Sequence, residues 1–174
     1  MDIDLAKYFD MVNHDILLSV ISREVKNKAV VKLIRKFLKS GVMANGLYSP
    51  TEEGTPQGGN LSPFLSNIYL TEFDRMLENR RHKFVRYADD CNVYVKSDRV
   101  ADRVMGSCTK FLGGKLRLNV NREKSKVGSP LRLKFLGFSL CKNKDKAGIR
   151  PHQKSLMRFK EMVRRLPVGS KPNP

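Results

Sequence analysis

The chemistry this sequence offers sits on a few aspartates in two places. Asp89 and Asp90 stand side by side within Phe84-Val85-Arg86-Tyr87-Ala88-Asp89-Asp90-Cys91-Asn92-Val93-Tyr94-Val95-Lys96, and Asp2 and Asp4 alternate with Ile3 and Leu5 at the start of the chain. Aromatic and β-branched residues on both sides of the pair predict two short strands joined at a tip of two aspartates. Cys91, Val93 and Val95 alternate with Asn92, Tyr94 and Lys96, the period of a half-buried strand. A two-residue hairpin normally uses Asn-Gly or Asp-Gly, because its central residues sit at positive φ. Asp89-Asp90 has no glycine and sets two like charges together, an arrangement a cation would relieve. The pair is either a metal-binding carboxylate site on a rigid hairpin or a solvated acidic turn. If the strand bearing Asp4 joins the hairpin in one sheet, three carboxylates converge. Mg²⁺ takes such hard oxygen ligands, commonly one or two carboxylates plus substrate phosphates. Two such ions stabilise the attacking and leaving oxygens of an in-line phosphoryl displacement.

Several elements must position these groups. Residues 1–5 read as a short strand with an acidic face. Asn13 is the expected N-cap of a helix to about Val25. Residues 28–40 form a second helix, with Val30, Ile34, Phe37 and Leu38 as its apolar stripe and Gly41 as its C′ residue. Its other face carries Lys28, Lys32, Arg35, Lys36 and Lys39, either a solvated surface or a phosphate contact. The glycine-rich loop 54–63 leads into a helix capped by Ser62, with Pro63 first, that buries Leu65, Ile68, Tyr69, Phe73, Met76 and Leu77 before ending near Asn79. After the hairpin, Ser97 or Asp98 caps a helix striped by Val100, Val104, Cys108, Phe111 and Leu112. Gly106 weakens it by about 1 kcal/mol relative to alanine, and Gly113-Gly114 is its expected end. Leu116, Leu118 and Val120 alternate as a further strand, and residues 121–130 form a polar loop. Residues 131–140 form one or two apolar strands around Gly137, a basic helix starts at Pro151, and residues 166–174 are unstructured. Strands and helices alternate without a strict βαβ period, so the class is α+β.

Composition bounds the partners. The 174 residues include 34 Lys+Arg against 17 Asp+Glu, a net charge of +17 with 40% hydrophobic residues. That is one core-forming domain, or one and part of another, attracted to polyanions, with RNA or DNA the expected partner. No apolar run is long enough to span a bilayer and no secretory-type leader is visible, which disfavours a membrane. Cys91, Cys108 and Cys141 lack C-x-x-C spacing and read as reduced thiols of a cytoplasmic protein, while the scattered His14, His82 and His152 argue against zinc.

Four segments occur in order: Asp4-Leu5-Ala6-Lys7-Tyr8-Phe9-Asp10, Thr55-Pro56-Gln57-Gly58-Gly59-Asn60-Leu61-Ser62-Pro63, Tyr87-Ala88-Asp89-Asp90 and Lys134-Phe135-Leu136-Gly137-Phe138. Together they resemble the successive palm motifs of reverse transcriptases, most closely those of bacterial group II introns. The resemblance covers residues 2–166. It implies a right-hand polymerase fold: palm, with a mostly antiparallel sheet packed on helices, and partial fingers over 1–150, the start of the thumb over 151–166, and a disordered tail over 167–174. It also implies that Asp4, Asp89 and Asp90 are catalytic and hold two Mg²⁺ ions, with the Leu5 carbonyl completing a metal shell. It selects Asp4 over Asp2, which spacing alone leaves open.

Further roles come with the resemblance. Phe9 matches the ring that excludes a ribose 2′-hydroxyl; otherwise it is a core phenylalanine. Gln57 and Gly58 match the loop that packs on incoming nucleotide, where small residues permit close backbone approach; otherwise the segment is a helix-entry turn. Lys124 matches a lysine near the triphosphate able to protonate departing pyrophosphate, and is otherwise a surface lysine. Phe135, Leu136 and Gly137 resemble the primer grip, or a buried strand. Tyr87 is expected to support the hairpin, and His14 to serve the helix start. The implied partners are an RNA template (group II intron RNA), a DNA primer and a deoxynucleoside triphosphate. The family places finger strands before the first catalytic strand and continues the thumb beyond one helix, so these 174 residues are expected to polymerise weakly or not at all alone. Other readings are a retron-type or RNA-directed RNA polymerase, and a non-catalytic RNA-binding module. A nuclease or phosphatase would not call for Phe9 or the Gln57 loop.

Overall fold

The computed structural model describes residues 1–44, 47–49, 52–56, 59–143 and 146–165. The chain divides into two compact units, Met1–Val127 and Gly128–Pro174. The expected palm–thumb boundary at residue 150 falls inside a strand of the second unit.

In the first unit, β1 (Asp2–Ile3), β5 (Asp90–Tyr94) and β4 (Lys83–Tyr87) form an antiparallel sheet in the order β1-β5-β4. β1 is short because residues 4–6 leave the ladder to pair with a different segment. Asp2 exchanges backbone bonds with Lys126, Ala6 N–H donates to Asn119 and Asn121 N–H donates to the Asp4 carbonyl at 2.9 Å. Residues 119–126 thus cover the outer edge of β1, which would otherwise present unpaired backbone.

Three helices fill one side of the core. α1 (His14–Glu24) starts at Asn13, whose side chain accepts from Ile16 N–H at 3.1 Å. α3 (Ser62–Asn79) and α4 (Asp98–Lys115) contribute Leu65, Tyr69, Leu70, Phe73, Leu77 and Leu112, which meet Ile3, Cys91 and Val93 of the sheet. Each such side chain, fully buried, contributes about 1.5–3 kcal/mol. α2 (Lys28–Leu38) begins at Asn27, whose side chain accepts from Ala29 and Val30 N–H. Its stripe is Val31, Ile34, Phe37 and Leu38; Val30 turns outward at 42% exposure and Leu33 at 67%. Counted back from the fully buried Leu38, helical spacing selects residues 34 and 31 for the inner face and leaves Val30 out.

Two further expectations change. Ser62 is the first residue of α3, and its hydroxyl donates to the Pro56 carbonyl at 2.6 Å, closing the entry loop instead of capping the helix. α4 continues through Gly113-Gly114 to Lys115. Leu116 and Leu118 are buried at 1%, but Arg117 between them takes φ 52°, so no strand forms and only Val120 bridges to Leu5. A short hairpin of β2 (Val42–Ala44) and β3 (Leu47–Ser49) lies between α2 and α3.

The second unit pairs β6 (Phe138–Asn143) with β7 (Lys146–Pro151) and ends in α5 (Gln153–Arg165). Residues 131–137 form turns, not a strand. β7 escapes the hydrophobic pattern because it is mostly exposed and carries one large apolar residue, Ile149. The expected tail, 166–174, lies outside the described residues.

Candidate active site

The hairpin tip is set one residue earlier than its sequence suggests. Tyr87 pairs with Asp90, so Ala88 and Asp89 are the turn and Asp90 opens β5. Ala88 takes φ 51°, the left-handed conformation that a turn with positive φ at its first central residue demands. Holding a non-glycine residue there costs energy that the surroundings must supply.

β1 pairs Asp2 with Asn92 and Ile3 with Cys91. Asp4, the next residue, leaves that ladder, and its carbonyl accepts from Asn121 N–H instead. The strand expected beside the hairpin does pair with β5, through Asp2 and Ile3. Burial, then the charges of Asp90 and Asp4, push the Asp2 carboxyl up to about 6. Asn92, expected on an open face, is 5% exposed between Asp2 and Val85, and its Oδ1 has no partner among the described residues. Lys124 Nζ stands 3.9 Å from Asp4 Oδ1, and the Ser125 hydroxyl accepts from Asp4 N–H at 3.0 Å. Tyr87 is 64% exposed, so it packs little against the hairpin it was expected to support.

Phe9 lies in a 3₁₀ turn, Tyr8–Asp10, half-buried, with its ring 5.2 Å from that of Tyr8. Its carbonyl accepts from Thr55 N–H at 2.7 Å. Gly54, at φ +88°, passes so close that a Cβ there would stand 2.9 Å from the Phe9 carbonyl. The glycine-rich loop thus pins the backbone that carries Phe9. The Tyr8 hydroxyl donates to the Ser66 carbonyl of α3; burial pushes its phenol well up, and the charge of Asp89 adds a minor push the same way. Leu5 is buried, and His14 holds the same end of the loop, its Nε2 2.6 Å from the Gly54 carbonyl. Gln57 and Gly58 lie outside the described residues.

Phe135, Leu136 and Gly137 belong to the second unit. Phe135 and Phe138 exchange backbone bonds of 2.8 and 2.9 Å around Leu136 and Gly137, both at positive φ. The segment is a tight turn with Leu136 47% exposed, which corrects the expected strand.

Sequence reasoning missed Arg86. It alternates with the exposed Val85 and Tyr87, so it points to the covered face of β4, where its guanidinium meets Asp74 and Asn67 of α3 and the Ala88 carbonyl. The available signal was a charge at an inward strand position, which requires a partner.

Among the described residues, no three His, Cys, Asp or Glu side chains form a group that could hold a metal ion. The donor type is still the one Mg²⁺ takes, hard carboxylate oxygens that phosphate oxygens and water supplement.

A carboxylate-bearing hairpin, an adjoining acidic strand and helices on the covered face define an α+β fold of the polymerase-palm class. Residues 1–140 match the family model described as reverse transcriptase (RNA-dependent DNA polymerase), and the chain belongs to the reverse transcriptase family. Protein YkfC of Escherichia coli (strain K12) is 31% identical over 83% of this chain and 47% of its own length. Group II intron-encoded protein LtrA of Lactococcus lactis subsp. cremoris is 43% identical over 48% of this chain and 14% of its own. The chain thus spans about half of the former and a seventh of the latter. Apo telomerase from Candida tropicalis, truncated of its C-terminal domain, superposes with a TM-score of 0.65 at 16% identity, covering 86% of this chain and 34% of the telomerase chain. None of the described helices is long and apolar enough to cross a membrane.

Proposed function

We propose that this chain carries the catalytic palm of an RNA-directed DNA polymerase, which extends a DNA primer on an RNA template, group II intron RNA by its relatives. The observation that supports this is the sheet order β1-β5-β4, in which the strand just before Asp4 pairs with the strand that Asp90 opens. In the reaction the primer 3′-hydroxyl attacks the α-phosphorus of a deoxynucleoside triphosphate, and the bond to pyrophosphate breaks. Asp4, Asp89 and Asp90 would hold two Mg²⁺ ions, with the Leu5 carbonyl as a further ligand. Such ions make the hydroxyl a better nucleophile and stabilise charge on the leaving oxygen. The Phe9 ring takes the space that a ribose 2′-hydroxyl needs. Lys124, already beside Asp4, donates its Nζ proton to the departing pyrophosphate. Gln57 and Gly58 pack on the nucleotide, and Phe135, Leu136 and Gly137 support the primer end.

The test is Mg²⁺-dependent extension of a DNA primer on an RNA template, by this chain and by a longer form with complete fingers and thumb. Extension with deoxynucleotides that Asp89→Asn reduces at least about 1,000-fold supports the reading, as does admission of ribonucleotides by Phe9→Ala. RNA binding without extension in either form would make the chain a non-catalytic RNA-binding module instead.

A further inference from the structure

We propose that Arg86 is the positioning residue of the catalytic turn, using one guanidinium to hold Ala88 and Asp89 against α3. The inference rests on the polymerase reading above. Arg86 Nε donates to Asp74 Oδ1 at 2.7 Å and Nη2 to Asp74 Oδ2 at 2.5 Å. Its Nη1 donates to Asn67 Oδ1 at 2.9 Å and to the Ala88 carbonyl at 2.8 Å. The Arg86 and Asp74 side chains are 11% and 22% exposed. The fork to Asp74 fixes the plane of the guanidinium, and the plane fixes where Nη1 points.

What Nη1 grips is the carbonyl of the one residue in the turn with a left-handed backbone, Ala88 at φ 51°. The orientation of that peptide determines where Asp89 projects and how β5 begins at Asp90. Asn67 and Asp74 are seven residues apart on α3, and hence on one face of it. The turn is therefore referenced to α3, a core helix, and not only to its own ladder. Lysine cannot substitute. A single ammonium that reaches Asp74 has no rigid second arm for Ala88 and Asn67.

The experiment compares the full-length protein with Arg86→Lys, Asn67→Ala, Asp74→Asn and Arg75→Met. It measures single-nucleotide extension, thermal stability and Mn²⁺ affinity by electron paramagnetic resonance. Arg75 pairs with Glu24 and Glu72 at the surface and serves as the control. Arg86→Lys should lower kcat about 10–100-fold with the KM for deoxynucleotide changed less than about threefold, the loss expected when reacting groups move by about an ångström. Asn67→Ala, which removes one partner of Nη1, should lower kcat about three- to tenfold at unchanged stability. Arg86→Lys with Asp74→Asn should be no worse than the more severe single change, because the pair acts as a unit. Mn²⁺ binding should weaken at least about fivefold in Arg86→Lys, and Arg75→Met should match wild type throughout.

Wild-type kcat and Mn²⁺ affinity in Arg86→Lys and Asn67→Ala, with only the melting temperature lowered, would reduce Arg86 to a structural ion pair and overturn the proposal. If wild type neither extends primers nor binds Mn²⁺ through Asp89, the polymerase reading fails first and takes this inference with it. If wild type binds Mn²⁺ through Asp89 without extending, the Mn²⁺ affinity of Arg86→Lys alone decides.

Discussion

The environment of Asp2 works against its charge. Asp2 is partly buried, with the charges of Asp90 and Asp4 acting on it, and its carboxyl is pushed up to about 6. The folded chain therefore holds that proton more tightly than the unfolded one, whose carboxyl titrates near 4. Stability from this group is present below pH 4 and is lost as pH rises through 6. Asp2→Asn should raise the melting temperature at pH 7.5 without divalent ions and change little at pH 4. The gain should be about 1 kcal/mol after allowance for solvent screening, or roughly 2–4 °C by scanning calorimetry. A second expectation concerns the thiols. Burial pushes Cys91 up to about 12 and Cys108 up to about 11, while Cys141 is only half-buried. Maleimide should label Cys141 in the native protein, and the other two only on unfolding. Residue types alone pointed to Asp89 and Asp90, since adjacent carboxylates are conspicuous, while only the resemblance chose Asp4 over Asp2. Arg86 and the burial of Asn92 were not legible, because both depend on which strand and helix lie opposite.

Among the elements, α4 and the 54–56 loop show two opposite uses of glycine. Gly106 lies inside α4 with open space around the place a Cβ would take. Gly106→Ala should stabilise the chain by about 0.5–1 kcal/mol, read as a shift of the urea midpoint at constant slope. Gly54 has no such room, with the Phe9 carbonyl and Asp10 backbone within about 3 Å of a Cβ and φ at +88°. Gly54→Ala should cost about 1–3 kcal/mol by forcing apart the loop and the Phe9 turn. The periodic helices and the central hairpin were legible, since each carries its own cap, stripe or alternation. The end of α4 was not. The glycine pair signals a stop, yet Leu116 and Leu118 bury only if the helix runs on to Lys115, and burial outweighs propensity. β7 was invisible for the converse reason: it is held by its ladder to β6 and buries almost nothing.

For the whole molecule, net charge is the dominant property. At +17 the chain should bind RNA with an affinity that falls at least about 100-fold between 50 and 200 mM salt, measured by filter binding or fluorescence anisotropy. Asp89→Asn should leave that slope unchanged, because one carboxylate in a site for cations adds little to the field of the whole surface. The field was legible from composition alone. The division at Val127–Gly128 falls inside the polar loop 121–130, where Gly128-Ser129-Pro130 follows a charged run, whereas the expected boundary stood at residue 150.

One consequence of α3 lies in its phase. The carbonyl of Ser66 receives the Tyr8 hydroxyl, while Asn67 and Asp74 receive Arg86. The Tyr8–Asp10 turn and the Ala88-Asp89 turn are thus both indexed to one stretch of two helical turns. Inserting one residue between Asn67 and Asp74 would rotate everything beyond it by about 100° and shift it by about 1.5 Å. No side-chain change could correct both. This helix can drift in sequence at positions other than Asn67 and Asp74, but not in length between them.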